Sequence, residues 1–122
     1  MDIRIKTTDY QMVPSTQTYL DERIASIEKL LGYDAQASRM EVEIGHMTGH
    51  KHGTVWFTEM NLLQPGVKLV NARAEGENVN ATIDEVKDEI INQMRNQRQV
   101  HRRVLRRGGA ALKRLMQFGS GE

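Results

Sequence analysis

The 122-residue sequence predicts an α+β sandwich of order β-α-β-β-β-α, in which two helices lie on one face of a four-stranded sheet. Four short segments alternate apolar and polar residues with a period of two, which is typical of strands with one buried face. Two longer segments repeat apolar residues at intervals of three and four, which indicates amphipathic helices. Short turns separate the last three strand segments, so we expect these strands to form an antiparallel meander.

The first half of the chain contains one strand, the first helix and a second strand. Ile3 and Ile5 alternate with charged residues in a strand predicted at residues 2–8. We expect Ser15 to cap the first helix and Gly32 to end it. The apolar positions of that helix are Leu20, Ile24, Ile27 and Leu31. The second strand is predicted at residues 37–47.

The second half contains a loop, two strands and a long helix. The loop is predicted at residues 48–53, and Pro65-Gly66 predicts a turn. The alternating row of the third strand is Trp56, Thr58, Met60 and Leu62. The corresponding row of the fourth strand is Val70, Ala72 and Ala74. From about Asn80 the apolar spacing is again helical, and we expect this helix to end at Gly108-Gly109.

Length and composition limit the classes of protein. A chain of this size makes one domain, so a large multidomain enzyme is excluded. A mean hydropathy of −0.58, with no apolar run of about 20 residues, predicts a soluble protein. No secretory signal opens the chain, so we expect a cytoplasmic location. The absence of cysteine excludes disulfides, thiolate zinc sites and cysteine nucleophiles.

Charge is distributed unevenly along the chain, although the net formal charge is only +1. Residues 1–94 contain 9 basic and 15 acidic residues, a net charge of −6. Residues 95–118, which we call the basic segment, contain no acidic residue. Its cations are Arg95, Arg98, Arg102, Arg103, Arg106, Arg107, Lys113 and Arg114. Such a segment predicts an anionic partner, and arginine binds phosphate in bidentate fashion, so we favour nucleic acid over a solvated tail.

Two further features refine this prediction. Phe118 is the only aromatic residue of the basic segment, which favours recognition of the nucleic-acid backbone or shape over base stacking. Residues 110–118 also form a short basic amphipathic stretch. A peripheral membrane or partner-docking role for that stretch is an alternative, although ordering of the tail on its main target explains it more simply.

Other clusters do not predict chemistry. His46, His50 and His52 surround a turn, where solvated histidines are commoner than metal ligands. Glu41 and Glu43 share one strand face, which we interpret as a solvated sheet surface. No nucleophile or phosphate-loop motif is present. We therefore expect no catalytic residues, no metal, no cofactor and no small-molecule substrate.

Two helical runs carry a resemblance to a known family. Residues 19–30 read YLDERIASIEKL, and residues 81–93 read ATIDEVKDEIINQ. Together with the strand order, they resemble the ribosome hibernation-promoting factor / ribosome-associated inhibitor family. The Ala-x-Ile-Asp start and the spacing to Gln93 are the most specific matches. The resemblance covers residues 1–107 and is to a short, sigma-54 modulation protein-like form, because nothing in the chain matches the C-terminal dimerisation domain of long members.

The resemblance implies a fold similar to double-stranded-RNA-binding domains and a function in ribosome hibernation under stress. It implies binding to the small (30S) ribosomal subunit and the 70S ribosome at 16S rRNA, where the protein blocks messenger and transfer RNA. It also implies RNA-binding roles for Arg23 and Lys29 in the first helix and for Lys87, Arg95 and Arg98 in the second. We add the other cations of the basic segment, which are Arg102, Arg103, Arg106, Arg107, Lys113 and Arg114.

Glu89 departs from the family pattern, where a basic residue is usual, so we expect the basic segment to supply more of the affinity. We expect residues 1–107 to form the ribosome-binding domain and residues 108–122 a flexible basic tail. The protein is expected to be a monomer off the ribosome and to bind no membrane. A general structured-RNA-binding protein is the first alternative.

Overall fold

The structure is a computed structural model that describes residues 1–50 and 53–119, with the backbone alone at residues 48–50, 53–54, 101–102, 104 and 107–119. Its elements are β1 (Asp2–Thr8), α1 (Pro14–Leu31), a 3-10 helix (Gly32–Ala37), β2 (Arg39–His50), β3 (Gly53–Leu63), β4 (Val70–Gly76) and α2 (Val79–Gly119). This order confirms the predicted β-α-β-β-β-α arrangement. By packing, the chain divides into two units, Met1–Ile91, which we call the body, and Asn92–Glu122.

The four strands form one sheet in the order β1-β2-β3-β4. β2, β3 and β4 pair antiparallel, which confirms the predicted meander. β1 pairs parallel to β2, and α1 supplies the crossover that a parallel connection requires. Ile3 and Ile5 lie opposite Met40 and Val42, but they remain 39% and 38% exposed because β1 is an edge strand.

The core lies between the two helices and one face of the sheet. The buried sheet residues are Met40, Val42, Ile44, Thr58, Met60, Leu62, Val70, Ala72 and Ala74. The buried apolar residues of the helices within the body are Leu20, Ile24, Ile27, Leu31, Ile83, Val86 and Ile90. A hydroxyl hydrogen bond of 2.9 Å joins Thr58 of β3 to Thr82 of α2 inside this core. Alternation in the strands and helical spacing therefore predicted the core correctly, although Trp56 is only half-buried.

The opposite sheet face contains a buried aromatic residue that the alternation did not predict. Phe57 is 5% exposed, and the Arg73 guanidinium lies over its ring at 4.4 Å. The ring occupies space that Gly45 leaves open, because a Cβ at Gly45 would lie 2.2 Å from the Phe57 ring and 3.1 Å from the Thr8 carbonyl oxygen. Gly45 is therefore required for close approach of the ring to the sheet.

The predicted N-cap of α1 is wrong by two residues, and the predicted end of the helix is correct. Val13 occupies the N-cap with extended backbone, and Pro14 begins the helix. Proline fits the first helical position because its fixed φ suits a helix and no intrahelical partner is needed for the missing N–H. Ser15 is thus inside the helix and does not cap it. Gly32 ends α1 with a φ of +59°, as the sequence predicted.

Two other boundaries differ from the sequence prediction. β2 continues to His50 and β3 begins at Gly53, so the predicted loop at residues 48–53 is mostly strand, with residues 51–52 outside the described part of the chain. α2 continues through Gly108-Gly109 to Gly119. Each glycine costs a helix only about 1 kcal/mol relative to alanine, and strong helix formers follow directly. Within the described residues, no helix is long and apolar enough to cross a membrane.

Candidate nucleic-acid interface

All of the predicted RNA-binding residues lie on the two helices. α1 carries Arg23 and Lys29, and the part of α2 within the body carries Lys87. The remaining residues follow on α2, which places Arg95, Arg98, Arg102, Arg103, Arg106, Arg107, Lys113 and Arg114 in the second unit. The side chains of Arg102, Arg107, Lys113 and Arg114 lie outside the described residues.

Arg23 is held in a cluster that joins α1 to α2. Its Nε donates a hydrogen bond of 2.8 Å to Asp84 Oδ1, and its guanidinium lies 3.8 Å from the centroid of the Tyr19 ring. Tyr19 precedes Arg23 by one helical turn and donates its hydroxyl hydrogen bond to Asp84 Oδ2. We call these three residues the Arg23 clasp. A second carboxylate, Glu22, pairs with Arg23 Nη1 at 3.1 Å.

The clasp shifts the pKa of each member in a consistent direction. Hydrogen bonds from Tyr19 and then from Arg23 lower the pKa of Asp84, so this carboxylate is ionised throughout the neutral range. The bond to Asp84 raises the pKa of the Tyr19 hydroxyl and of the Arg23 guanidinium. An ionised acceptor thus faces a charged donor, and the Arg23 side chain keeps 27% of its surface exposed.

The other two predicted RNA-binding residues of the body, Lys87 and Lys29, have different surroundings. Lys87 Nζ pairs with the carboxylate of its neighbour Asp88 at 2.7 Å and is 21% exposed. Lys29 is exposed in the last turn of α1, where a cation is favoured by the helix dipole. Among the described residues, Lys29 forms no ion pair. Lys29 is therefore more available to an external anion than Arg23 or Lys87.

The arginines of the basic segment differ from the body cations in exposure and in nearby counter-charges. Arg95, Arg98, Arg103 and Arg106 are exposed on α2. A helical spacing of three places Arg95 near Arg98, and Arg103 near Arg106, on the surface of the helix. Because the segment contains no acid, none of its cations has an intrasegment counter-charge. A phosphate backbone supplies anions at such spacings.

The remaining candidate clusters show no chemistry of their own. His46 packs edge-on against Trp56 at a centroid distance of 4.7 Å, and Tyr10 also packs edge-on against Trp56 at 4.8 Å. In the part of the chain that the structure describes, no group of three His, Asp or Glu residues is placed to hold a metal ion. The side chains of His50 and His52 lie outside that part.

Glu41 and Glu43 lie on the sheet face away from the core, as predicted from the strand alternation. They line a shallow depression of about 310 Å³ that also contains Arg4 and Lys6. Thr8 donates a hydrogen bond of 2.6 Å to Glu43. This surface mixes both signs of charge, so we assign the candidate interface to the helices.

Sequence reasoning did not find the role of Tyr19 and Asp84. The spacing of four between Tyr19 and Arg23 places both side chains on one face of α1, which was a local signal for their contact. No comparable signal exists for Asp84, which is 61 residues from Arg23 in the chain. The resemblance implied an RNA-binding role for Arg23, whereas the structure shows that this cation pairs with Asp84 and Glu22.

The model of one protein family, described as sigma 54 modulation protein / S30EA ribosomal protein, matches residues 3–102. The match includes Arg23, Lys29, Lys87, Arg95, Arg98 and Arg102. The cations beyond it are Arg103, Arg106, Arg107, Lys113 and Arg114. None of the curated proteins matches the chain.

Among solved structures, the N-terminal domain of Protein Y from Thermus thermophilus is similar to this chain, with a TM-score of 0.55 and 19% sequence identity. The alignment covers 84% of this chain and 98% of that domain. It therefore supports the fold. A match to rare lipoprotein B from Shewanella oneidensis, at 13% identity over 94% of this chain and 98% of that one, has a TM-score of only 0.22 and supports no conclusion.

Proposed function

Because the chain belongs to the sigma 54 modulation protein / S30EA ribosomal protein family, it is a ribosome-associated factor, and we propose that it inhibits translation by occupying the small ribosomal subunit. In this proposal the helices contact 16S rRNA in the decoding channel. The bulk of the folded body then excludes messenger and transfer RNA. The mechanism requires no catalysis, and it acts in the cytoplasm under stress or in stationary phase.

The observation that supports this proposal most directly is the basic segment within a chain of this family. The segment carries eight cations without an acid, on a helix that begins in the body. Neutralising phosphates releases counterions from RNA, which is the main source of affinity for a nucleic-acid backbone. The part of the segment beyond residue 102 lies outside the family match, so the case for its contribution comes from its charge alone.

The two groups of cations have different proposed roles. Contacts from Arg23, Lys29 and Lys87 fix the orientation of the body on rRNA, since phosphate contacts determine register. The basic segment supplies more of the affinity. We further propose that residues 108–122 act as a basic tail that contacts rRNA, and that the protein is a monomer before it binds.

Co-sedimentation with separated small subunits, large subunits and 70S particles tests the proposal. At two salt concentrations, we expect saturable binding near one protein per small subunit, with weaker binding at the higher salt. Filter binding of a messenger RNA to the same subunits should fall as the protein saturates them. Binding without any loss of messenger RNA binding would contradict the occlusion mechanism.

The same experiment separates the proposal from a general RNA-binding function. A naked RNA duplex provides phosphates without the architecture of the subunit. We expect the affinity for the small subunit to exceed that for a duplex, because register and shape add to the electrostatic contacts. Equal affinities would favour the general function. Binding only to anionic vesicles would favour the membrane alternative.

A further inference from the structure

In the Arg23 clasp, a carboxylate of the protein already accepts the Nε–H hydrogen bond of Arg23. We propose that Asp84 is a specificity-determining residue that competes with RNA for Arg23, so that the body discriminates against generic RNA. The inference rests on the proposed function, because it concerns how the same helical surface chooses its RNA. Asp84 is bonded to Arg23 on α1 and precedes Lys87 on α2 by about one helical turn.

The contacts of Arg23 resemble those that it would make with a phosphate. The Nε–H donates to Asp84 at 2.8 Å, and Nη1 lies 3.1 Å from Glu22. The guanidinium carbon also lies over the Tyr19 ring, 3.8 Å from its centroid. With 27% of the side chain exposed, a phosphate can approach from solvent, but it must displace or face the Asp84 carboxylate.

This competition changes how much binding free energy each kind of RNA gains. Generic RNA binding depends on cations that release counterions from phosphates. When one phosphate replaces a carboxylate that already neutralises a guanidinium, little binding free energy is gained. A folded RNA can offer phosphates to Arg23 and Lys87 at the same time. The additional contacts then offset the free energy lost when Asp84 is displaced from Arg23. The ratio of specific to generic affinity is therefore raised by Asp84.

The substitution Asp84→Asn tests this inference, with Asp21→Asn as a matched control. Both changes remove one negative charge. Asp21 is exposed on α1 and accepts a hydrogen bond of 2.8 Å from Gln17, and it pairs with no cation among the described residues. The probe is an RNA duplex of about 20 base pairs without ribosomal sequence, long enough to span a double-stranded-RNA-binding surface.

We expect Asp84→Asn to bind this duplex on the order of two- to fivefold more tightly than Asp21→Asn does, within the range of an exposed ion pair. The log–log salt slope should steepen by up to about 0.7–0.9, which corresponds to one added phosphate contact. The small-subunit affinity should rise less, so the specificity ratio falls. An equal effect of the two substitutions would overturn the inference, because it would show only the change in net charge.

A double-mutant cycle with Arg23→Gln assigns the gain to Arg23. If Asp84 acts through Arg23, then Arg23→Gln abolishes the gain in duplex affinity in the Asp84→Asn background. In the Asp21→Asn background, we expect the same change to weaken duplex binding by less than about twofold. A purely structural role of Asp84 would not give this coupling. Persistence of the full gain without Arg23 would contradict the inference.

Two measurements keep the test informative. Glu22→Gln, at a carboxylate that is 64% exposed, removes the second counter-charge of Arg23 without touching the α1–α2 contact. We expect the duplex affinity to rise less than with Asp84→Asn. An unchanged duplex affinity would count against competition between carboxylates and RNA for Arg23. Wild-type binding to small subunits is measured in parallel. If the wild type does not bind small subunits, the proposed function is refuted. If it binds them but the double-mutant cycle shows no coupling between Asp84 and Arg23, only the role of Asp84 is refuted.

Discussion

The body and the basic segment contain similar numbers of cations, but the cations have different neighbours. The body has 9 basic and 15 acidic residues, whereas the basic segment has 8 basic residues and no acidic residue. In the body, ion pairs to carboxylates of the same chain involve Arg4, Arg23, Arg39, Arg73 and Lys87. The comparison shows that counting cations does not locate an RNA-binding surface, because a paired cation has less to gain from a phosphate.

The two regions also differ in what orders them. The body is held by a core between sheet and helices, with Leu20, Ile27 and Ile90 fully buried. Val100 and Leu105, in contrast, are 56% and 60% exposed on α2 in the second unit. The body is therefore ordered by buried apolar side chains, whereas Val100 and Leu105 of the second unit are left largely exposed.

The largest expected effect comes from removing charge from the basic segment. Replacing Arg102, Arg103, Arg106 and Arg107 by Ala should weaken small-subunit binding on the order of ten- to hundredfold at moderate salt. The log–log salt slope should decrease by up to about 0.7–0.9 for each lost phosphate contact. A salt titration of subunit binding measures both quantities.

The control for this variant removes the same charge from the body. Arg4, Lys6, Arg39 and Arg73 lie on the strands, so their replacement by Gln changes the net charge equally at a distance from the helical surface. We expect a much smaller effect on the slope. Equal slopes for the two variants would show that only net charge matters, and the contrast between the regions would be lost.

The next prediction concerns packing of the body. Gly45→Ala places a methyl group in the space of the Phe57 ring, so the free energy of unfolding should fall by about 1–3 kcal/mol. Urea unfolding followed by the fluorescence of Trp56, the only tryptophan, reports on the body. Gly76→Ala is the control, because its Cβ would meet Thr82 at an ordinary 3.5 Å. Equal losses would mean that the Phe57 contact does not limit stability.

A smaller effect distinguishes two cations of α1. Lys29 is exposed and unpaired among the described residues, whereas Arg23 is clasped. Lys29→Gln should weaken binding to a generic RNA duplex about two- to threefold, and Arg23→Gln should weaken it less. Fluorescence anisotropy of a labelled duplex measures both. A larger loss at Arg23 would show that its carboxylate partners do not restrain it.

The smallest effect is a pH dependence of body stability. Because the pKa of Asp84 is lowered in the folded state, its contribution is complete above the unfolded value of about 3.9 and is lost as the pH falls through the folded value. Between pH 5 and below pH 3, the urea midpoint of the wild type should drop by a few tenths of a molar more than that of Asp84→Asn. Parallel pH profiles would contradict a stabilising clasp.

The fold was largely predictable because its signals are local. Alternation at Met40, Val42 and Ile44 and helical spacing at Leu20, Ile24 and Ile27 encode which side of each element is buried. The N-cap of α1 was less predictable, because proline at the first helical position competes with serine as a start signal. The prediction that α2 ends at Gly108-Gly109 was wrong, because two glycines lower the stability of a helix without preventing it.

The candidate site was only partly predictable. The position of each cation on a helix followed from spacing, and the structure places all of them on α1 or α2. The pairing of Arg23 with Asp84 depends on the packing of two helices that are far apart in sequence. The burial of Phe57 depends likewise on the absence of a side chain at Gly45 in the neighbouring strand. Such complementarity between elements leaves no periodic signal.

The continuity of α2 has a consequence for how the basic segment becomes helical. Starting a helix is unfavourable because several backbone dihedrals must be fixed for one hydrogen bond, while extending it adds one bond for each residue fixed. Residues Ile83, Val86 and Ile90 pack in the core, so the nucleus of α2 forms as part of the folded body. The basic segment then requires propagation only, despite the mutual repulsion of its arginines. A free peptide of the same sequence must nucleate alone, so we expect it to be much less helical than the segment in the intact chain.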